Sequence, residues 1–126
     1  MNIKKLDLGS QKKQANYFKY FTHPVRIAIL QILGKGEACV CHMEAVLGLR
    51  QAYLSQQLAV LREGGLITDR KDGWNVFYQL TDPQILNVLH AVHSLISDDL
   101  ETETSLVPES CSCPKCAVVL EKNNCC

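Results

Sequence analysis

The sequence has no apolar run approaching the roughly 20 residues that cross a bilayer, and its basic start, Met1 to Leu8, has no apolar stretch behind it to make a secretory signal. It has no Gly-rich loop to cradle phosphate, no recognisable nucleophile–base triad and no internal repeat, and its four His are scattered. Catalysis and membrane residence are therefore not expected. What remains is one soluble, unexported, cytoplasmic domain of 126 residues with ordinary globular composition, 47% hydrophobic and 21% charged.

Net charge is also missing, but its zero total hides a gradient. Residues 1–20 carry five Lys against one Asp, and residues 21–80 carry six basic and five acidic groups. Residues 81–126 carry two basic and seven acidic groups. Such asymmetry suits a basic arm near nucleic acid and an acidic tail in solvent, although a plain solvated surface explains it equally well. Cysteine is what the chain has in excess: seven residues clustered as Cys39/Cys41, Cys111/Cys113/Cys116 and Cys125/Cys126. In a reducing compartment such clusters favour metal or redox chemistry over disulfide staples.

Hydrophobic spacing predicts helices over residues 10–21, from Pro24 to Gly34, over about Cys41–Leu47 and over about Gln51–Glu63. Leu66–Arg70 and Trp74–Leu80 read as strands around Lys71-Asp72-Gly73, with Asp72-Gly73 as the turn signal. Asp82-Pro83 reads as an N-cap and first-turn proline opening a helix that carries Ile85, Val88, Leu89, Val92 and Ile96 to about Asp99. The fold class expected is mainly α with a small β-hairpin wing. Residues 1–100 form a winged helix-turn-helix domain and residues 101–126 an acidic, cysteine-rich tail.

The helix pair joined through Leu47-Gly48-Leu49-Arg50 has helix-turn-helix character. Leu54, Leu58 and Leu61 make its core stripe; Ala52, Gln56 and Ala59 face away, flanked by Gln51, Tyr53 and Ser55. In the major groove Gln bonds an adenine edge and Ala meets a thymine methyl, while Arg70 and Lys71 on the hairpin are placed for phosphates. An ordinary solvent-facing helix is the alternative, made weaker by the hairpin that follows.

Thr22-His-Pro-Val-Arg-Ile-Ala-Ile-Leu30, Glu37-Ala-Cys-Val-Cys41, Leu54-Ser-Gln-Gln-Leu-Ala-Val-Leu-Arg-Glu-Gly-Gly-Leu66 and Gly73-Trp-Asn-Val-Phe-Tyr78 occur in the order and spacing of one known family. Over about residues 17–98 the chain resembles the ArsR/SmtB family of metal-responsive repressors. The resemblance implies a homodimer seamed by the first and last helices, paired readers on a palindromic operator, and release of double-stranded DNA on metal binding. Phe18 and Phe21 on the first helix and Ile85, Leu89 and Val92 on the last are the apolar residues assigned to that seam. Arg50 departs from the small capping residue usual before the reader helix.

Cys39-Val-Cys41 is the chemical centre of this reading. Soft thiolates select As(III), Cd(II), Pb(II) or Zn(II) over Mg(II) or Ca(II). Residues i and i+2 point about 200° apart on a helix but to one side in an extended segment. Sharing one ion therefore requires an unwound start to the third helix. Two buried cysteines acting as small hydrophobes are the plain alternative. The related arsenite pattern continues with a third Cys where this chain has Glu44; His42 is adjacent. Cys111, Cys113 and Cys116 could complete the set, because about ten residues beyond Glu101 reach up to roughly 35 Å. They could equally bind an ion alone, with Zn(II) as a candidate. A family zinc site on the last helix is not expected: Asp82 fits, but Gln84, Leu95 and Asp98 do not, and His90/His93 are weak evidence. The expectation is a repressor with no permanent cofactor, induced by arsenite, alternatively by Cd(II)/Pb(II) or by thiol oxidation or persulfidation.

Overall fold

The computed structural model describes residues 7–97. Helix α2 (Pro24–Gly34) is its centre. His23 caps α2 with its own ring, Nδ1 accepting from the Val25 N–H at 3.2 Å, and Pro24 takes the first turn, where no N–H is needed. Ile29, Leu30, Ile32 and Leu33 are buried. The helix stops at Gly34 against the last helix, α5 (Gln84–Ile96), where an added Cβ would lie 2.5 Å from Leu86 Cδ2.

A two-residue strand, β1 (Ala38–Cys39), runs directly into α3 (Val40–Leu47). Gly48 ends α3 in the left-handed region at φ 65°, its N–H donating to the Glu44 carbonyl at 2.8 Å. Arg50, extended at φ −71° and ψ 145°, occupies the N-cap of α4 (Gln51–Glu63) without a side-chain cap bond. Leu54, Leu58 and Leu61 of α4 are buried, as their spacing predicts. The end of α4 is a Schellman motif: Leu66 N donates to Leu61 O and Gly65 N to Arg62 O, with Gly65 at φ 78°.

The chain leaves that joint as β2 (Ile67–Asp72) and returns as β3 (Asn75–Leu80). Asp72 pairs with Asn75, so the loop is Gly73-Trp74, one residue later than Asp-Gly suggests. Gly73, at φ 61°, takes the first loop position, where a two-residue hairpin loop favours glycine. The sheet order is β1-β3-β2, all antiparallel, with Cys39 opposite Phe77 and Phe77 opposite Arg70. The wing is thus three-stranded rather than a bare hairpin, because β1 is too short to leave an alternation in the sequence.

Helix α1 (Gly9–Phe18) buries none of its residues and passes into a 3-10 turn over Lys19–Phe21, so the expected single helix over residues 10–21 is in two parts. Asp82 Oδ1 accepts from the Gln84 N–H at 2.9 Å, and α5 (Gln84–Ile96) ends before Asp99. Ile85 and Leu89 of α5 are buried in the protomer's own core, so their assignment to a dimer seam is corrected. Phe18 and Val92 are exposed, joined on α5 by Leu95 at 83% and Ile96 at 74% exposure. Phe21 is half-buried. No described helix is long and apolar enough to cross a membrane.

Candidate functional site

Gln51, Ala52, Ser55 and Gln56 all stand exposed on the outer face of α4, a small polar surface with no charge of its own. Tyr53 does not share that freedom. It is half-buried, and its hydroxyl lies 3.1 Å from His23 Nε2. Because His23 Nδ1 accepts from Val25, the neutral ring carries its proton on Nε2 and donates it to Tyr53 Oη. One imidazole therefore caps α2 and ties α4 to it. Arg26 makes a second tie, its Nε donating to Gln57 Oε1 at 2.9 Å and its Nη1 to the Lys19 carbonyl at 3.1 Å. His23 and Arg26 are positioning residues that the sequence reading passed over. His23-Pro24 read only as punctuation, and the partners of both lie some thirty residues away.

On the wing, Lys71 is exposed, but Arg70 is occupied. Its guanidinium donates through Nε to Glu37 Oε2 at 2.7 Å and through Nη2 to Glu37 Oε1, a bidentate pair. It also lies 3.8 Å from Asp72 and 4.8 Å from the centre of the Phe77 ring. The hydrogen bond from Arg70, helped by its charge, holds the Glu37 carboxyl below its ordinary value against the opposing effect of burial. Arg62 pairs with Asp69 at 3.2 Å. Arg70 thus joins β2 to the residue two before Cys39.

Cys39 is buried at the end of β1 with φ −95° and ψ 169°, whereas Cys41 is exposed in the first turn of α3. Only the first of the two is in extended backbone; the second already belongs to the helix. Next to them, His42 Nδ1 is buried with no hydrogen-bond partner, and burial lowers the His42 pKa, favouring the neutral imidazole that ligates. Glu44 is half-buried. Among the described residues no group of three or more His, Cys, Asp or Glu is gathered around a metal position. Two soft sulfurs and an orphaned imidazole nitrogen suit a thiophilic centre in chemistry but make an incomplete set. Cys111, Cys113 and Cys116 lie outside the described residues.

An outward polar helix held at a fixed angle, followed at once by a projecting hairpin, defines a winged helix-turn-helix DNA-binding protein. Residues 23–69 match the bacterial regulatory protein family described as arsR. The biofilm growth-associated repressor of Xylella fastidiosa is 37% identical over 81 residues, covering 64% of this chain and 71% of that protein. The crystal structure of the transcriptional repressor BigR from Xylella fastidiosa is similar at a TM-score of 0.64 and 32% identity, over 75% of this chain and 100% of the other. Reduced HlyU from Vibrio cholerae is similar at a TM-score of 0.63 and 32% identity, over 69% of this chain and 92% of the other. The chain belongs to the ArsR family: it is a DNA-binding transcriptional regulator and not an enzyme.

Proposed function

We propose that this protein is a cytoplasmic repressor that holds operator DNA as a homodimer and lets go when a thiophilic agent engages Cys39 and Cys41, with arsenite the first choice and Cd(II) or Pb(II) the alternative. The observation that carries the reading is the cross-strand row from the cysteine to the wing. Cys39 is backbone partner to Phe77, Phe77 to Arg70, and Arg70 grips Glu37 immediately before the cysteine segment. Drawing Cys39 and Cys41 toward one centre would unwind the start of α3, shift β1 and loosen that grip. The wing and the reader helix would then leave their DNA-bound spacing.

Cys111, Cys113 and Cys116 are proposed as the source of the missing sulfur, from the same or the partner protomer. A tethered thiol acts at an effective concentration of order millimolar. Zn(II) held by these residues alone is the other role open to them. The seam is proposed to join Phe18 of α1 to Val92, Leu95 and Ile96 of α5, whose apolar surface is exposed among the described residues.

Oxidation or persulfidation of the same cysteines is a second reading. It is favoured by the incomplete ligand set and by the similarity to a protein whose structure is of a reduced form. Titrating arsenite, Cd(II), Pb(II) and hydrogen peroxide against labelled DNA held by the protein, with anisotropy as readout, separates the two. The C39S/C41S variant should keep its DNA affinity and lose release by the ions. Release by peroxide alone selects the redox reading, and wild-type release by arsenite or cadmium from the double variant places the inducer site elsewhere.

A further inference from the structure

Trp74, the only tryptophan in the chain, is 97% exposed at the tip of the wing. Leaving an indole in water forgoes the stabilisation that its burial would bring. The two-residue loop between Asp72 and Asn75 fixes it there. Beyond Arg70, whose cross-strand partner Phe77 is buried and paired with β1, the hairpin carries the tip on by roughly 10 Å at the usual rise per residue. The cations along the strand do not make the tip electropositive. Arg70 is held by Glu37 and Asp72, so exposed Lys71 is the cation of β2 left without an ion pair among the described residues, and the charges of Ile67–Asp72 sum to zero. A wing meant to grip phosphates would present charge at its tip, but this one presents an aromatic ring in a polar surround. One isolated ring is too small to be the core of a protein interface, which needs about 1,000 Å². It does suit a groove about 6 Å wide.

We infer that Trp74 is the wing's DNA-reading residue, entering the minor groove beside the reader helix as an apolar wedge. Its indole N–H is a donor only. Adenine N3 and thymine O2 present only acceptors on the minor-groove floor, whereas a G·C pair adds the guanine amino donor. Trp74 therefore confers a preference for A·T pairs under the wing. This inference rests on the DNA-binding assignment, and its test keeps the two apart.

The probe is a duplex enriched by the wild-type protein from a random library, with anisotropy of a labelled copy reporting binding and tryptophan emission reporting the wing. With unlabelled duplex the emission should move to shorter wavelength and lose acrylamide quenching. Trp74→Ala should weaken binding about tenfold, as loss of one good contact does, with the salt dependence unchanged because no charge is removed. Replacing A·T by G·C under the wing should weaken wild-type protein but leave Trp74→Phe, which lacks the N–H, nearly indifferent. At 97% exposure Trp74 is no part of the buried core, and an unchanged thermal midpoint checks that the variant is folded. Duplex binding with unshifted emission and unchanged affinity in Trp74→Ala overturns the inference. So does an emission shift that follows protein concentration without DNA. If no duplex is enriched and anisotropy never rises, it is the DNA-binding assignment that fails.

Discussion

Helix α4 sinks Leu54, Leu58 and Leu61 into the core and is tied to α2 through Tyr53 and Gln57. The β2–β3 hairpin that follows buries only Ile67 and Phe77 and keeps Asp69, Arg70 and Asp72 in surface ion pairs. Three buried leucines and two side-chain hydrogen bonds leave the reader little freedom of angle. The base of the hairpin is held by β1 and by Tyr78 and Leu80 against the core, but past Arg70 and Phe77 only exposed contacts position it, and such pairs are individually weak and screened by salt. The two DNA-facing elements therefore divide the work. The reader supplies fixed geometry, and in the proposed mechanism the wing is the part that an inducer moves. The sheet places Cys39 against the movable part through Phe77.

The largest expected effect comes from removing what holds the reader. Leu58→Ala deletes a side chain only 1% exposed, and large-to-small changes of this kind cost about 2–5 kcal/mol. Chemical denaturation should show that loss, with DNA binding falling because the helix no longer has a firm seat. A loss under 1 kcal/mol would mean that the reader is not braced by its core face, and the contrast with the wing would collapse.

That contrast was half legible in the sequence. The leucine spacing of α4, the glycine stop of α3 and the two strands all follow from local rules, although the hairpin loop falls one residue later than Asp72-Gly73 suggests. What the sequence could not supply was pairing across distance. Arg70 on an exposed strand face reads as a phosphate contact until Glu37, 33 residues earlier, is found beside it. Ile85, Leu89 and Val92 share one apolar periodicity, but only packing shows that the first two are buried in the core and the third is exposed. The extended Cys39 was equally hidden, since a two-residue strand has no period to detect.

A smaller effect should follow from cutting one tie between the reader and α2. Tyr53→Phe keeps the ring and removes the hydroxyl that accepts from His23 Nε2. A lost hydrogen bond of this kind costs about 1 kcal/mol. Affinity should fall for all duplexes alike, because the change tilts the helix rather than altering a base contact. A loss confined to one base-pair position would instead make the Tyr53 hydroxyl a reader in its own right.

The smallest effect on stability, and the most informative about the wing, belongs to Glu37→Gln. Arg70 lowers the Glu37 pKa, so the pair's contribution is complete above the ordinary carboxylate value. It is lost as pH falls through the lowered value. The glutamine variant retains an acceptor for Arg70 but no charge, and its stability should depend less on pH over that acidic range. At neutral pH the change in stability should be slight, since the pair lies at the surface. Inducer response should change more: with the grip on Arg70 already loosened, DNA release should need less inducer, and the difference should shrink in high salt. Wild-type release curves from Glu37→Gln at low salt would show that the pair only decorates the surface, leaving the Cys39–Phe77 backbone pairing as the remaining route from the cysteines to the wing.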